Sequence, residues 1–352
     1  MALRWALAEN EAGGALFADE RVAERHVGQG AYAGMEFLHV NARTIINTVP
    51  ADSRMPFRHT INPYRGCSHA CVYCFARPTH DYLGLGIGTD FERKIVVKVN
   101  AVERLRAELR ARSWNGDHIA MGTNTDPYQH AEGKYHLTRG IVETLSGARN
   151  PFSILTKSTL ILRDAAALAA ACKRTDVGVS FSIGTLDRSV WKLTEPGTPP
   201  PDRRVEALRR LTAMGIPCGV LVAPVLPGLS DSEAQLTEVV AACADAGALS
   251  ISGVALHLRG PLRTHYLDWL QGARPDLVRL HRERFRRGAY QEDDERQRIE
   301  GIVKVAARRW GVTGRNRYRG PASDDGPAEA RSRDAAAAAA TEVEPGQQLR
   351  LL

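Results

Sequence analysis

Between residues 101 and 256, short apolar runs alternate with longer stretches in which apolar positions recur every three or four residues. The runs are HIAMGT (118–123), FSILTK (152–157), VGVSFSI (177–183), CGVLVAPV (218–225) and LSISGVAL (249–256). The stretches AVERLRAELRAR, LTRGIVETLSGA, RDAAALAAACKR, RRVEALRRLTAMG and DSEAQLTEVVAACADAG carry the helical period. Gly215 and Gly247 stand where helices end, and Asp231 stands where an N-cap belongs. A first strand near RHTINPY (58–64) completes six strand–helix units. Continuous apolar strands separated by helices predict an α/β fold with a helix-covered parallel sheet. Right-handed crossovers leave a barrel or an open doubly wound sheet. KIVVKVN (94–100) reads as an extra strand or an extended connection.

The pattern divides the chain. Residues 1–55 show little periodicity and read as an N-terminal extension packed on the main domain, 56–260. Residues 261–320 carry two more helical patterns, around 265–287 and 291–310, rich in basic residues. The tail, 321–352, contains DAAAAAATEVEPGQQ and is predicted to be disordered, because it has too little apolar surface to offset chain entropy.

Composition adds compartment. The chain has 352 residues and 43% hydrophobic content, enough for a sizeable core. Acids interrupt its first twenty residues, and no run is long enough to span a membrane. The expectation is a cytoplasmic protein without a membrane partner, in a reducing compartment where clustered cysteines point to metal or redox chemistry. The net charge of +7 favours an anionic partner only through its distribution. IVKVAARRWGVTGRNRYRG (302–320) holds six basic residues and no acid. Together with Trp310 and Tyr318 it has the charge and stacking groups to track a nucleic-acid backbone, although a solvated basic face has the same composition.

The cysteines sharpen the chemistry. NPYRGCSHACVYCFARPTH (62–80) places Cys67, Cys71 and Cys74 at C-x3-C-x2-C spacing. Three thiolates fill three corners of a [4Fe–4S] cluster and leave one iron open for a ligand. A zinc site of these cysteines with His69 or His80 is the rival reading. Gly66 allows the backbone to approach closely. Cys172, Cys218 and Cys243 sit alone in apolar surroundings and read as small buried hydrophobes. Other polar residues fall at predicted strand ends: TNTDPYQ after the second strand, Lys157 and Ser158 after the third, Ser180 and Ser182 in the fourth. In parallel sheets, chemistry gathers beyond the carboxyl ends of the strands. GLGIG (84–88) does not follow a strand and so fails as a dinucleotide loop.

With an aromatic before the last cysteine, this pattern resembles the radical S-adenosylmethionine (SAM) superfamily. NPYRGCSHACVYCFAR, GTNTDPYQHAE, ILTKSTLILRD, EPGTPPPDRRVEALRRLTAMGI and APVLPGLSD, in this order, resemble its subgroup related to spore photoproduct lyase, the DNA repair photolyase-like proteins. The resemblance covers about residues 56–256. It implies a partial (β/α)6 barrel with an N-terminal extension and C-terminal helices. It implies that Cys67, Cys71 and Cys74 hold a [4Fe–4S] cluster and that SAM binds its open iron. Cleavage of SAM would then yield a 5′-deoxyadenosyl radical that abstracts hydrogen from a substrate. By position, Tyr73 would lie near the adenine, and Thr123, Asn124, Thr125 and Asp126 near the SAM amino group, where the superfamily often has Gly-Gly-Glu instead. Lys157 and Ser158 would face the SAM carboxylate or ribose, with Ser182 nearby. An external low-potential electron donor of flavodoxin or ferredoxin type is implied, as is nucleic acid as a partner. The competing functions are an iron–sulfur electron-transfer or sensor protein, and a zinc-stabilised nucleic-acid-binding module.

Overall fold

The computed structural model describes residues 22–50, 53 and 55–314. The expected disordered tail, Tyr318 and residues 1–21 lie outside the described residues.

The strands are β1 (Val22–Val27), β2 (Glu36–Val40), β3 (Ile46–Thr48), β4 (His59–Ile61), β5 (Tyr64–Arg65), β6 (Lys94–Lys98), β7 (Ile119–Met121), β8 (Phe152–Thr156), β9 (Val177–Ser182), β10 (Cys218–Val225) and β11 (Ser250–Ala255). The helices are α1 (Thr89–Arg93), α2 (Ala101–Leu109), α3 (Glu132–Tyr135), α4 (Leu137–Gly147), α5 (Ala165–Cys172) and α6 (Arg188–Thr194), then α7 (Pro201–Ala213), α8 (Glu233–Asp245), α9 (Pro261–Ala273), α10 (Val278–Arg284) and α11 (Asp293–Arg309).

The main sheet has the order β11-β10-β9-β8-β7-β4-β3. From β4 to β11 each neighbouring pair is parallel, and β3 runs antiparallel to β4 at the edge. The strands appear in chain order with helical crossovers, and β3 and β11 are its two edges, so the sheet is a partial barrel. Both faces of β9 are buried along its whole length, Val177, Val179 and Phe181 on one and Gly178, Ser180 and Ser182 on the other.

The two faces of the sheet bury different partners. Ile119, Met121, Ile154, Val220 and Val222 join the large core that includes Ile141, Leu168, Leu208 and Val239 from the helices. Side chains alternate across a strand, and Ala120, Leu155, Leu221 and Ala223 instead meet Val49 and Phe57. The connection from β3 to β4 therefore fills part of the concave face.

The helix ends follow local chemistry. Gly215 (φ +77°) and Gly247 (φ +88°) adopt the left-handed conformation as expected. The N-cap of α8 is Ser232, where the sequence suggested Asp231. Ser232 Oγ accepts from Gln235 N at 3.3 Å, and the Gln235 side chain reaches back to Ser232, completing a capping box. Asp231 accepts from Gly228 N at 2.9 Å and ties the preceding turn.

KIVVKVN forms β6, which belongs to a second sheet of order β1-β2-β6-β5. There β2 and β6 are parallel, and β1–β2 and β5–β6 are antiparallel. Residues from the expected N-terminal extension enter both sheets, β3 in the main one and β1 and β2 in the small one. Strand β5 leads directly into the cysteine loop.

The helices after residue 260 complete the molecule. α11 packs on β11 and α8. Gly253 permits this contact, since a Cβ there would lie 3.0 Å from Val303 and 3.4 Å from Ile299. Leu262, Tyr266 and Leu270 of α9, with Val278 of α10 and Phe285 after it, cluster with Cys71, Val72 and Tyr73. Among the described residues no helix is long and apolar enough to cross a membrane.

Candidate functional site

The cysteine loop, residues 66–76, leaves β5 through Gly66. Gly66 has φ +77°, and a Cβ on it would stand 2.8 Å from both Phe91 O and His80 Cε1. Only glycine satisfies both constraints. Cys67 N donates to Phe91 O at 2.9 Å, which fixes the loop's first thiol against α1. Arg77, fully buried, organises the rest. Its guanidinium donates to Cys71 O (2.9 Å), Ala70 O (3.1 Å), Ile87 O (2.9 Å) and Gly88 O (3.2 Å), and pairs with Glu92 at 2.6 Å. From the other side Gly197 approaches so closely that a Cβ there would lie 2.2 Å from Ser68 O.

Cys67, Cys71 and Cys74 are free thiols, the first two buried and the third half-buried. Burial pushes all three thiol pKa values up. Such thiols stay protonated until a cation displaces the proton. Zinc at bond lengths of about 2.3 Å would bring its sulfur ligands within roughly 4 Å of one another. Among the described residues the three sulfurs do not form a group within 4.8 Å of one another. The histidines of the zinc reading are engaged elsewhere. His69 Nδ1 lies 3.3 Å from Asp126, and His80 Nε2 donates to Lys94 O at 3.0 Å.

Facing the loop, the carboxyl ends of β8 and β9 supply Lys157 and Ser182. Lys157 Nζ donates to Ser182 Oγ at 2.6 Å and to Ala223 O at 3.3 Å, and lies 3.0 Å from Glu195 Oε1. Glu195, at the end of α6, also accepts from Tyr73 Oη and Arg204 Nη2. Lys157 Nζ lies 5.6 Å from the centre of the Tyr73 ring, so the expected Tyr73, Lys157 and Ser182 do converge. Burial alone would raise the Glu195 carboxyl, but Arg204, Lys157 and the Tyr73 hydroxyl hold it well below the usual carboxylate range. The buried Arg204 and the half-buried Lys157 meet one buried carboxylate, so the group carries one positive charge more than it neutralises.

The segment after β7 is a clamp with one loose end. Asp126 accepts from Lys157 N (2.7 Å), Thr156 Oγ1 (2.7 Å) and Tyr128 N (2.8 Å). Burial would raise its carboxyl, and His69 with these donors holds it below its ordinary value. Thr125 Oγ1 and Gln129 Nε2 both donate to Gly66 O, at 2.7 and 2.9 Å, joining this segment to the cysteine loop. Thr123 Oγ1 pairs with the Asn62 side chain, and Asn124 N donates to Asn62 Oδ1 at 3.1 Å. Asn124 Oδ1 is buried and has no donor. Ser158 accepts from Leu160 N at 3.1 Å and caps the 3-10 turn Thr159–Asp164.

Glu195, Arg204, Arg77, Asn62 and Gln129 were not singled out by sequence. Glu195 and Arg204 flank the motif EPGTPPPDRR, where a buried acid beside a Gly-Thr-Pro run was the available signal. Of the basic segment expected to bind nucleic acid, residues 302–314 lie elsewhere, and residues 315–320 are outside the described residues. Lys304, Arg308, Arg309 and Trp310 are exposed on α11, and Gly314 lies against Leu249, at the amino end of β11. At the carboxyl rim stands a different group. Phe75, directly after Cys74, lies 5.9 Å from the His257 ring, which stacks on Tyr290 at 5.6 Å. Arg259 and Arg296 each sit 5.9 Å from the Tyr290 ring centre. Phe75 and Tyr290 are 51% and 49% exposed, so this ladder is open to a ligand.

A partial barrel of parallel strands, with three thiols on one loop at its carboxyl rim, is the architecture of a metallocofactor enzyme. The Radical SAM superfamily profile matches residues 61–240, and the chain belongs to that superfamily. An uncharacterized protein of Mycobacterium tuberculosis is 42% identical over 300 residues, covering 85% of this chain and 88% of the relative. An uncharacterized protein of Methanocaldococcus jannaschii is 29% identical over 200 residues, covering 56% of this chain and 71% of the relative. Among solved structures, spore photoproduct lyase complexed with dinucleoside spore photoproduct superposes with a TM-score of 0.59 at 18% identity, covering 78% of this chain and 79% of the other. A variant of that lyase with bound AdoMet and the same dinucleoside gives the same TM-score, 0.59, at 18% identity over the same 78% and 79%.

Proposed function

We propose that this chain is a radical SAM enzyme in which Cys67, Cys71 and Cys74 hold a [4Fe–4S] cluster and the Lys157–Glu195–Arg204 group receives SAM. Bound there, the cluster and SAM would supply carbon-radical chemistry, given an electron from an external low-potential donor of flavodoxin or ferredoxin type. The chain's own residues bind, orient and enclose. The observation that carries the reading is the convergence of three thiols, two buried and one half-buried, and an excess of positive charge at one rim of parallel strands.

The residues have separable tasks. The unneutralised charge shared by Lys157 and Arg204 suits the SAM carboxylate. The Asn124 amide oxygen, buried without a donor, suits the SAM amino group, from whose N–H it can accept. Tyr73 lies between loop and pair, beside where the adenosine would stand. Thr123, Thr125, Asp126 and Ser158 spend their polar atoms on the protein and act as positioning residues. Ser182 holds the Lys157 ammonium.

The substrate side of the reading is a nucleic-acid strand. Phe75 and the stacked His257 and Tyr290 offer flat ring faces, and Arg259 and Arg296 offer charge for phosphates. The dinucleoside held by spore photoproduct lyase, which shares this fold, is in keeping with that chemistry.

The test is anaerobic. Protein reconstituted with iron and sulfide, given dithionite and SAM, is expected to contain four irons per chain and to release methionine and 5′-deoxyadenosine. Cys71→Ala should lose both the iron and the cleavage. Reduced, iron-loaded protein that leaves SAM intact would reject the enzyme reading in favour of an electron-transfer or sensor role. Single-stranded DNA should bind Tyr290→Ala less tightly than wild type, by about 1–3 kcal/mol for one lost stack. No binding by wild type at low salt would remove nucleic acid as the substrate.

A further inference from the structure

Far from the cysteine motif in sequence, the β1–β2 hairpin gathers Glu24, His26 and His39. Glu24 and His26 are two apart on β1 and so share a face, and His39 is the direct cross-strand partner of Glu24. A register shift between Val22 and Glu24 sets this alignment. His26 Nε2 lies 2.9 Å from Glu24 Oε2, and His39 Nδ1 lies 3.8 Å from the same oxygen. The two imidazole rings are 4.1 Å apart, and one ligand atom from each of the three residues falls within 4.8 Å of the others.

The geometry points to a zinc site: one divalent ion bound by His26 Nε2, His39 Nδ1 and a Glu24 carboxylate oxygen, with water in the remaining position. A tetrahedral zinc with bonds near 2.0–2.2 Å sets its ligands roughly 3.4 Å apart. The measured separations of 2.9 and 3.8 Å bracket that figure, so closure needs only small side-chain movements. Imidazole and carboxylate are a set that zinc accepts readily.

A second feature supports the same assignment. Tyr135 Oη lies 2.7 Å from His39 Nε2. A metal-ligating histidine is normally oriented by a hydrogen bond at its other ring nitrogen. With Nε2–H donating to Tyr135, the Nδ1 lone pair of His39 is left facing Glu24 and His26. One neighbour opposes the ion: the Lys134 ammonium lies over the Phe37 and Tyr135 rings, at 5.2 and 5.4 Å from their centres. It lowers the affinity but occupies none of the three ligand atoms. The site sits on the small sheet whose far edge strand, β5, leads into the cysteine loop. Its ion would fasten the edge strand β1 onto that sheet.

The experiment uses the full chain with its iron loaded anaerobically, so that the cysteines are occupied, titrated with Zn2+ against a chromophoric chelator. One zinc per chain is expected beyond the iron. His26→Ala, a change on a part-exposed edge strand, should lose it while the thermal transition of the metal-free chain stays put. Tyr135→Phe should bind about tenfold more weakly, because only the orienting bond is gone. Cys71→Ala should retain the zinc although it loses iron, which keeps this result separate from the radical SAM reading. Co2+ in the site should show weak visible bands with no sulfur charge-transfer band. Zinc held equally well by His26→Ala, or a thiolate band with Co2+, would overturn the assignment.

Discussion

Lys157 Nζ stands 3.0 Å from Glu195 Oε1, with both side chains largely withdrawn from solvent. Arg204 reaches the same carboxylate from α7, so one acid restrains two bases drawn from separate elements.

That arrangement orders two variants. Glu195→Gln leaves Lys157 and Arg204 buried without a counter-charge and should cost about 3–5 kcal/mol of folding stability. Lys157→Met leaves Glu195 with Arg204 and Tyr73, and should unfold at nearly the wild-type urea concentration. Its SAM affinity should nevertheless fall at least tenfold, about 1.4 kcal/mol. Urea denaturation and SAM titration check the pair; a Lys157 variant that loses stability but binds SAM normally would contradict the assigned role.

Gly197→Ala tests the fit between the cysteine loop and the segment after α6. The added methyl would meet Ser68 O at 2.2 Å, and backbone cannot yield cheaply there. Iron retained after gel filtration should drop sharply while far-ultraviolet circular dichroism stays close to wild type. Full iron content in this variant would show that the loop is freer than the packing implies.

Arg77→Lys keeps the charge and removes the planar fork. One ammonium cannot serve Cys71 O, Ala70 O, Ile87 O and Gly88 O together. At least one buried carbonyl loses its donor, at roughly 1–3 kcal/mol each. Lowered stability of the metal-free chain, measured by thermal melting, is the expected result.

His80 gives the fold an acid-sensitive component. It is fully buried, its Nδ1 has no partner, and burial lowers its pKa from 6.5 to about 4. An unfolded chain binds this proton at higher pH than the folded one. The stability is therefore complete above pH 6.5 and drains away as pH falls towards about 4, on the order of 3 kcal/mol in all. His80→Gln should remove that slope from the window, leaving the depressed Asp126 and Glu195 carboxyls to act below it. Equal slopes in the two chains, from urea midpoints at several pH values, would refute the contribution.

The strands β7 to β11 were legible because helix-covered parallel strands are short, largely apolar runs set between helical patterns. The second sheet was not, since β2 and β6 pair across a long stretch of chain and nothing local in KIVVKVN names its partner. The thiols could be read from spacing alone. Glu195 and Arg204 could not, because their meaning depends on Tyr73 and Lys157 arriving from other strand ends. Glu24, His26 and His39 stayed hidden for a similar reason: strand register, which no short motif encodes, brings His39 to the other two. The basic run at 302–320 drew notice for its charge, while the rim arginines, scattered as Arg259 and Arg296, formed no run at all.

Val49 and Phe57, lodged against Ala120, Leu155, Leu221 and Ala223, act as a stopper in the hollow of the sheet. Under the proposed function, a short-lived reagent made among the thiols would thereby be turned away from the depths of the protein and towards the threshold marked by Phe75, His257 and Tyr290. The molecule resting on that doorstep, more than any pocket deeper in, would decide what is oxidised.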